Sequence, residues 1–160
     1  MALEVGSKIP DVAVKVMRDG KPEEVRTGDV LGSGKVVLFA VPGAFTPGCS
    51  KIHLPGYVEH GEELKAKGID TIACIAVNDA WVMDAWGRSQ GAGDKILMLA
   101  DGNGDFTRAM GLEFDATGIG LGMRSQRYAA VIEDGVIVRL DVERVPGVDV
   151  SSCEAVLSHL

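Results

Sequence analysis

The sequence predicts an α/β domain with a mixed central sheet and helices on both faces. Two short apolar runs rich in β-branched residues, Lys35–Val41 and Ile69–Val77, are typical of fully buried strands. Helical patterns alternate with such strands through the middle of the chain, which favours parallel pairing through right-handed crossovers. Asp134-Gly135 lies between two strand-like segments and predicts an antiparallel hairpin near the end. The 160 residues are expected to form a single domain, 1–160.

The first half of the chain shows its elements through turn and helix-end signals. Asp19-Gly20 follows the weakly alternating segment Val12–Val16 and predicts a hairpin. After the first buried strand, the pattern predicts a helix from Pro47 to Lys67, interrupted at Pro55-Gly56. Gly68 is a suitable residue to end that helix.

The second half continues the alternation and then closes with a hairpin and a helix. Ser151 and Glu154 form an S-x-x-E pattern, which predicts a capping box at the start of the last helix. The predicted elements are a helix at Asp79–Arg88 capped by Asn78 or Asp79, a strand at Lys95–Ala100, a short helix at Gly104–Met110, strands at Arg127–Glu133 and Val136–Val142, and a helix at Ser151–His159.

Charge and cysteine count restrict the class of protein. The formal net charge of −7 argues against nucleic acid and anionic membranes as partners, because both select basic surfaces. No apolar run is long enough to span a bilayer. Three cysteines cannot all pair within one chain, so a reducing compartment is expected. We therefore expect a cytoplasmic protein, with a processed organelle form as the alternative.

The sequence contains no metal or cofactor motif that passes inspection. Gly34-Lys35 lacks the spacing of a phosphate-binding loop, and Gly118-Ile119-Gly120 is not followed by the third glycine of a dinucleotide site. The three cysteines and three histidines show no zinc-finger spacing. We predict neither a metal nor a cofactor.

One cysteine lies where a reactive thiol is expected. The segment Thr46-Pro47-Gly48-Cys49 follows a buried strand and opens a helix, with Thr46 as a suitable N-cap and Pro47 in the first helical position. Cys49 would then lie in the first turn, where the helix dipole and free backbone N–H groups favour the thiolate. The alternative is an inert cysteine that is buried at the start of a helix.

The residues around this cysteine resemble a known family. Pro42-Gly43-Ala44-Phe45-Thr46-Pro47-Gly48-Cys49-Ser50 is similar to the peroxidatic signature of peroxiredoxins, in the form of the type II, or peroxiredoxin-5-like, class. The similarity returns at four further segments in matching order, which extends it over nearly the whole chain. These segments are His53–Tyr57, Cys74–Trp81, Trp86–Arg88 and Arg124–Tyr128.

The resemblance implies a thioredoxin-like fold and thiol-dependent reduction of hydrogen peroxide and small alkyl hydroperoxides. It implies that Cys49 is the nucleophile, which becomes a sulfenic acid. Thr46 would hydrogen-bond the peroxide, Pro42 would shield the thiolate, and Arg127 would stabilise the developing charge. It also implies a homodimer. His53, on the same helical face as Cys49, could either influence the thiolate or bond locally.

The sequence leaves the step after sulfenic acid open. Cys74, within a buried strand, and Cys153, near the end of the chain, are the two candidate resolving cysteines. A cysteine within a buried strand, such as Cys74, is typical of a small core residue. The residues around Cys153 do not match the animal branch of the family. A one-cysteine cycle, in which glutathione and glutaredoxin or thioredoxin reduce Cys49 directly, is equally open. A peroxide sensor that uses the same Cys49 is the alternative function, and a non-catalytic binding module is a third.

Overall fold

The computed structural model describes residues 2–160, which form a seven-stranded central sheet, a separate two-stranded ribbon and five α-helices. In chain order the elements are β1 (Ala13–Arg18), β2 (Lys21–Arg26), α1 (Thr27–Val30), β3 (Lys35–Ala40), a π-helical segment (Cys49–His53), α2 (Leu54–Ala66), β4 (Thr71–Ala76), α3 (Ala80–Ser89), β5 (Leu97–Ala100), α4 (Asp105–Met110), β6 (Glu113–Ala116), a 3₁₀ turn (Thr117–Ile119), β7 (Gly122–Ser125), β8 (Tyr128–Glu133), β9 (Val136–Val142) and α5 (Cys153–Leu157).

The central sheet has the mixed pairing that the sequence predicts. Its strand order is β2-β1-β5-β4-β3-β8-β9. The strands β3, β4 and β5 are parallel neighbours, as expected for strands joined by helical crossovers. The hairpins β1–β2 and β8–β9 are antiparallel and add strands at the two sides. Both predicted hairpins and the three central strands are confirmed.

The core lies in two layers, one on each face of the sheet. Val37 and Phe39 of β3 point to the layer that α2, α3 and α5 cover. Val36 and Leu38 point to the opposite layer, which contains Phe106 of α4. All of these side chains are fully buried, which explains why β3 is a continuous apolar run. The helices therefore cover both faces, as predicted.

The helix after β3 differs from its prediction in where it is irregular. Helical backbone begins at Pro47, as predicted, but Pro55 and Gly56 lie inside the regular helix α2. The irregularity is the π-helical segment just before α2, in which the Leu54 N–H donates to the carbonyl of Cys49, five residues earlier. Pro55 has no N–H for the usual bond, so the wider turn lies where the regular pattern is already weakened.

The last helix begins one residue later than the capping box predicts. Ser152 is the N-cap of α5, and its hydroxyl accepts from the Ala155 N–H at 3.1 Å. The Ser151 hydroxyl donates to Glu143 instead, at 2.6 Å. The predicted capping box is therefore wrong, and Cys153 occupies the first helical position. The short helix α1 and the ribbon β6–β7 have no counterpart in the prediction.

Asn78 and Asp79 are the two predicted alternatives for the cap of α3, and each side chain makes a different hydrogen bond. The Asp79 carboxylate accepts from the Val82 N–H at 2.8 Å and caps the helix. The Asn78 side-chain oxygen accepts from the N–H of Ala44, in the loop before Cys49, at 2.9 Å.

Within residues 2–160, no helix has both the length and the apolarity that a membrane crossing requires.

Candidate active site

The topology brings Cys49 and Arg127 to one edge of the sheet, although 78 residues separate them. The chain leaves β3 at Ala40 and enters the loop that leads to Cys49. Ala40 pairs with Tyr128, the first residue of β8, in antiparallel register. Arg127 directly precedes β8 and so lies beside that loop. The site is at the carboxyl end of β3, where ligands of open α/β sheets usually bind.

The Cys49 sulfur is in contact with a permanent cation. Arg127 Nη2 donates to Cys49 Sγ at 3.2 Å, and Cys49 is fully buried. A Cβ at Gly48 would lie 3.1 Å from the same guanidinium nitrogen, so this position favours a residue with no side chain. A fork-shaped cation at this distance stabilises a thiolate and any negative charge that develops on an oxygen bonded to the sulfur.

His53 lies behind the arginine and is neutral. Its Nδ1 is 2.9 Å from Arg127 Nη1, and its Nε2 is 2.9 Å from the Ser151 carbonyl oxygen. Arginine can only donate and a carbonyl can only accept, so Nδ1 accepts and Nε2 carries the proton. Burial lowers the pKa of His53 to about 3; the Ser151 hydrogen bond opposes this shift, and the nearby charge of Arg127 adds to it to a smaller extent. His53 therefore bonds two residues that are distant in the sequence, and one of them is the arginine that touches Cys49.

Two aromatic side chains, Phe39 and Tyr57, pack against the His53 ring. The rings of Phe39 and Tyr57 stack with centroids 3.9 Å apart and planes 3° from parallel. The His53 ring lies at a tilt to both, with centroids 5.0 Å and 5.7 Å away. The Tyr57 hydroxyl donates to the Ser151 carbonyl at 2.8 Å. His53 therefore has little room to rotate.

The loop before Cys49 is held by its own polar groups and by Arg124. The Thr46 hydroxyl donates to the Gly43 carbonyl at 2.7 Å and makes no bond to a backbone N–H at the helix start. Its lone pairs remain able to accept a hydrogen bond. Arg124 Nη1 is 3.5 Å from the Pro42 carbonyl, and its Nε donates to the Leu121 carbonyl at 3.1 Å. Pro42 and Thr46 therefore both belong to the loop between β3 and Cys49, and both take part in its hydrogen bonds.

Neither candidate resolving cysteine receives a hydrogen bond from a positively charged side chain in the part of the chain described. Cys74 is fully buried in β4, and its pKa is raised well above the usual value by burial and then by the charge of Cys49. Burial, and then the carboxylates of Glu63 and Glu154, raise the pKa of Cys153 to about 12. All three cysteines are free thiols. The predicted burial of Cys74 is confirmed.

Two residues of the hydrogen-bond network behind His53, Ser151 and Glu143, have no sequence feature that indicates this position. Ser151 drew attention only as a helix cap, yet it is fully buried and bonded to His53. Glu143 accepts from Ser151 and lies just beyond β9. Their link to the site runs through His53, which is 98 positions from Ser151 in the sequence.

Comparison with known proteins agrees with the geometry. The model of the Redoxin family matches residues 4–157. The chloroplastic peroxiredoxin-2E-2 of Oryza sativa subsp. japonica is 47% identical over 163 residues, which cover 99% of this chain and 72% of that protein. This chain belongs to the peroxiredoxin family. Among solved structures, the reduced Prx3 of Vibrio vulnificus in complex with hydrogen peroxide superposes on this peroxiredoxin with a TM-score of 0.92 and 47% identity, covering 99% of each chain.

A further relative is consistent with the class. The peroxiredoxin 5 of Alvinella pompejana superposes with a TM-score of 0.86 and 40% identity, covering 98% of this peroxiredoxin and 96% of that chain. The predicted thioredoxin-like fold and type II class are therefore confirmed. This peroxiredoxin is a thiol peroxidase, an oxidoreductase that reduces peroxides.

Proposed function

We propose that Cys49 is the nucleophile of this peroxidase, and the 3.2 Å contact from Arg127 to its sulfur carries the proposal. In the reaction, the Cys49 thiolate attacks the terminal oxygen of a hydroperoxide and forms an S–O bond as the O–O bond breaks. The leaving oxygen takes a proton and departs as water or an alcohol. Cysteine is oxidised to sulfenic acid and the peroxide is reduced, with no metal or prosthetic group involved.

Three neighbours would support this step. Arg127 stabilises the thiolate and the charge that develops on the leaving oxygen. The Thr46 hydroxyl, which already donates to Gly43, accepts from the protonated peroxide oxygen and so orients it. Pro42 shields the thiolate and shapes the opening. The substrates that fit best are hydrogen peroxide and small alkyl hydroperoxides, because Cys49 is fully buried at the base of the loop.

The assignment of the nucleophile can be tested by replacing one atom. Cys49→Ser keeps the shape of the site but removes the thiolate, so peroxide consumption with a suitable thiol reductant should fall to background. Cys153→Ser, another cysteine at a helix start, is the matched control and should consume peroxide. Retained turnover in Cys49→Ser would refute the assignment.

For the reductive half of the cycle we propose that an external thiol reduces Cys49 directly, supplied by glutathione with glutaredoxin or by thioredoxin. Burial and raised pKa values leave Cys74 and Cys153 poorly suited to attack the sulfenic acid without a large rearrangement. The double variant Cys74→Ala/Cys153→Ala should therefore turn over with glutathione and glutaredoxin, or with thioredoxin, at near the rate of the wild type. Loss of turnover, with a Cys49 disulfide found by mass spectrometry in the wild type, would instead identify a resolving cysteine.

Two exposed aromatic side chains support a homodimer. Phe45, in the loop before Cys49, is 55% exposed with a left-handed φ of 66°, and Trp81 of α3 is 64% exposed. Large exposed apolar side chains favour an interface over open solvent. Analytical ultracentrifugation should show a dimer, and Phe45→Glu/Trp81→Glu should shift it toward monomer.

We also propose a reducing compartment, which the three free thiols favour. The cytoplasm is the first expectation. The chloroplastic rice relative makes a processed organelle form the alternative. Fractionation of cells followed by immunodetection would decide between them.

A further inference from the structure

A closed ring of hydrogen bonds connects the Arg127 side chain to its own backbone through the C-terminal part of the chain. Arg127 Nη1 donates to His53, and His53 Nε2 donates to the Ser151 carbonyl, each at 2.9 Å. The N–H and the hydroxyl of Ser151 donate to Glu143 Oε2 at 2.9 and 2.6 Å. The backbone N–H of Glu143 donates to the Arg127 carbonyl at 2.9 Å, which closes the ring.

Glu143 is the junction of this ring. Its Oε2 also accepts from the Asp149 N–H at 2.7 Å, so three donors converge on one oxygen. Burial opposes ionisation of this carboxyl, but the hydrogen bonds from Ser151, Asp149 and Val150 outweigh it and lower the pKa of Glu143. An ionised carboxylate therefore holds the segment between β9 and α5 against the backbone of the catalytic arginine.

The ring restricts what the arginine can do. The Ser151 carbonyl accepts hydrogen bonds from His53 Nε2 and from the Tyr57 hydroxyl. Because Nε2 carries the proton of the neutral ring, His53 Nδ1 is the acceptor. That acceptor engages Nη1 of Arg127, and Nη2 then faces Cys49 Sγ. A planar guanidinium that is hydrogen-bonded at Nη1 has its orientation restricted, whereas one held only by its flexible stem would sample many rotamers.

We propose that Glu143 is a positioning residue for the peroxidase reaction: it holds Ser151, whose carbonyl orients His53, and His53 aims Arg127 at the sulfur of Cys49. The inference rests on the proposed function, since it takes Cys49 to be the nucleophile. Preorganised donors in a buried site stabilise developing charge without rearrangement, so a loosened Arg127 should slow the reaction while leaving the thiol in place.

The test compares two reactions of Cys49 in the full chain. Stopped-flow kinetics measures its oxidation by hydrogen peroxide, and alkylation by iodoacetamide measures the reactivity of the thiolate without need of an aimed guanidinium. In Glu143→Ala the peroxide rate constant should fall by about tenfold, with alkylation changed by less than about threefold. Glu143→Gln keeps an oxygen acceptor and should recover most of the peroxide rate. Glu133→Ala, at the far end of the same hairpin and exposed, is the control.

Two results would overturn the proposal. One is an unchanged peroxide rate in a folded Glu143→Ala variant, and the other is an equal fall in both reactions, which would indicate lost thiolate or lost fold. If Glu143→Ala does not fold, His53→Leu breaks the ring at another point and should show the same split. A failure of the proposed function is distinct, because then Cys49→Ser would retain peroxidase turnover whatever the Glu143 variants do.

Discussion

Two helical segments in this protein begin at a buried cysteine, and only one of these cysteines receives a hydrogen bond from a positively charged side chain. Cys49 opens the π-helical segment and has a guanidinium nitrogen 3.2 Å from its sulfur. Cys153 opens α5, where burial and the carboxylates of Glu63 and Glu154 raise its pKa to about 12. A position in the first turn of a helix therefore does not make a thiol reactive. The charged groups that the fold places next to the thiol determine whether its thiolate is stabilised.

The two helix starts also differ in how they are capped. At α5 the Ser152 hydroxyl accepts from a backbone N–H. The Cys49 segment begins without a side-chain cap, and the Thr46 hydroxyl turns to the Gly43 carbonyl. The capped start is built for helix stability. At the uncapped start the Ser50 N–H donates to the Thr46 carbonyl at 2.9 Å, and no side chain accepts from the first N–H groups.

The largest expected difference between the two cysteines is in alkylation. A pKa of about 12 leaves about 10⁻⁵ of Cys153 as thiolate at pH 7. Brief treatment of the folded protein with iodoacetamide at pH 7 should modify Cys49 at least about 10³-fold faster than Cys153. Peptide mass mapping would measure both rates, with the unfolded protein as the control in which the rates converge. Comparable labelling of both in the folded state would contradict the comparison.

Removal of the Arg127 guanidinium should leave Cys49, like Cys153, without a positively charged neighbour that donates to its sulfur. Arg127→Ala should lower the rate constant for hydrogen peroxide by about 10²-fold, because one oriented donor to developing charge is lost. Arg127→Lys keeps the charge without the fork and should fall between. Stopped-flow kinetics measures the effect, and Arg88→Ala, which breaks the exposed ion pair with Asp84, is the control. A wild-type rate in Arg127→Ala would remove the charge argument.

The neutral state of His53 predicts a pH-dependent stability. Its folded pKa of about 3 lies below the unfolded value of about 6.5. Its contribution is therefore fully present above about pH 6.5 and is lost as the pH falls toward 3, by up to about 1.4 kcal/mol per pH unit. Thermal melts at pH 7 and pH 4.5 should show a smaller loss in His53→Asn than in the wild type. His60→Asn is the control, because His60 is raised in pKa by its bond to Glu63 and should not flatten the profile.

The smallest effect concerns the cap of α5. Ser152→Ala removes the side-chain acceptor and should lower the free energy of unfolding by about 1 kcal/mol. Ser152→Asp should restore most of it. Urea denaturation measures the change, and Ser158→Ala, near the end of the same helix, should change stability by less than about 0.5 kcal/mol. Equal losses in both serine variants would show that the cap is not the cause.

Local patterns explain why much of the fold and half of the site could be predicted. The strands β3 and β4, the turns of the two hairpins and the position of Cys49 at a helix start depend on neighbouring residues, so they are visible in the sequence. Arg127 became a candidate only through the family resemblance, because nothing near it in the chain marks it. The capping box at Ser151 was wrong because a distant partner, Glu143, takes the serine hydroxyl. The interruption at Pro55 was displaced because the helix accommodates the missing N–H with a wider preceding turn.

The sequence by itself determined the order of the central strands and of the longer helices, the helix start that carries Cys49, and the net charge of −7 that argues against nucleic acid as a partner. These follow from side-chain periodicity, turn chemistry and net charge, which act over a few residues or over the whole chain. The tertiary structure alone decided which charges meet which cysteine. It set Arg127 against Cys49, turned His53 into a neutral acceptor, and tied both to Glu143 through Ser151. The physical reason is that a hydrogen bond acts over about 3 Å, and only folding brings residues 74 to 98 positions apart within that distance.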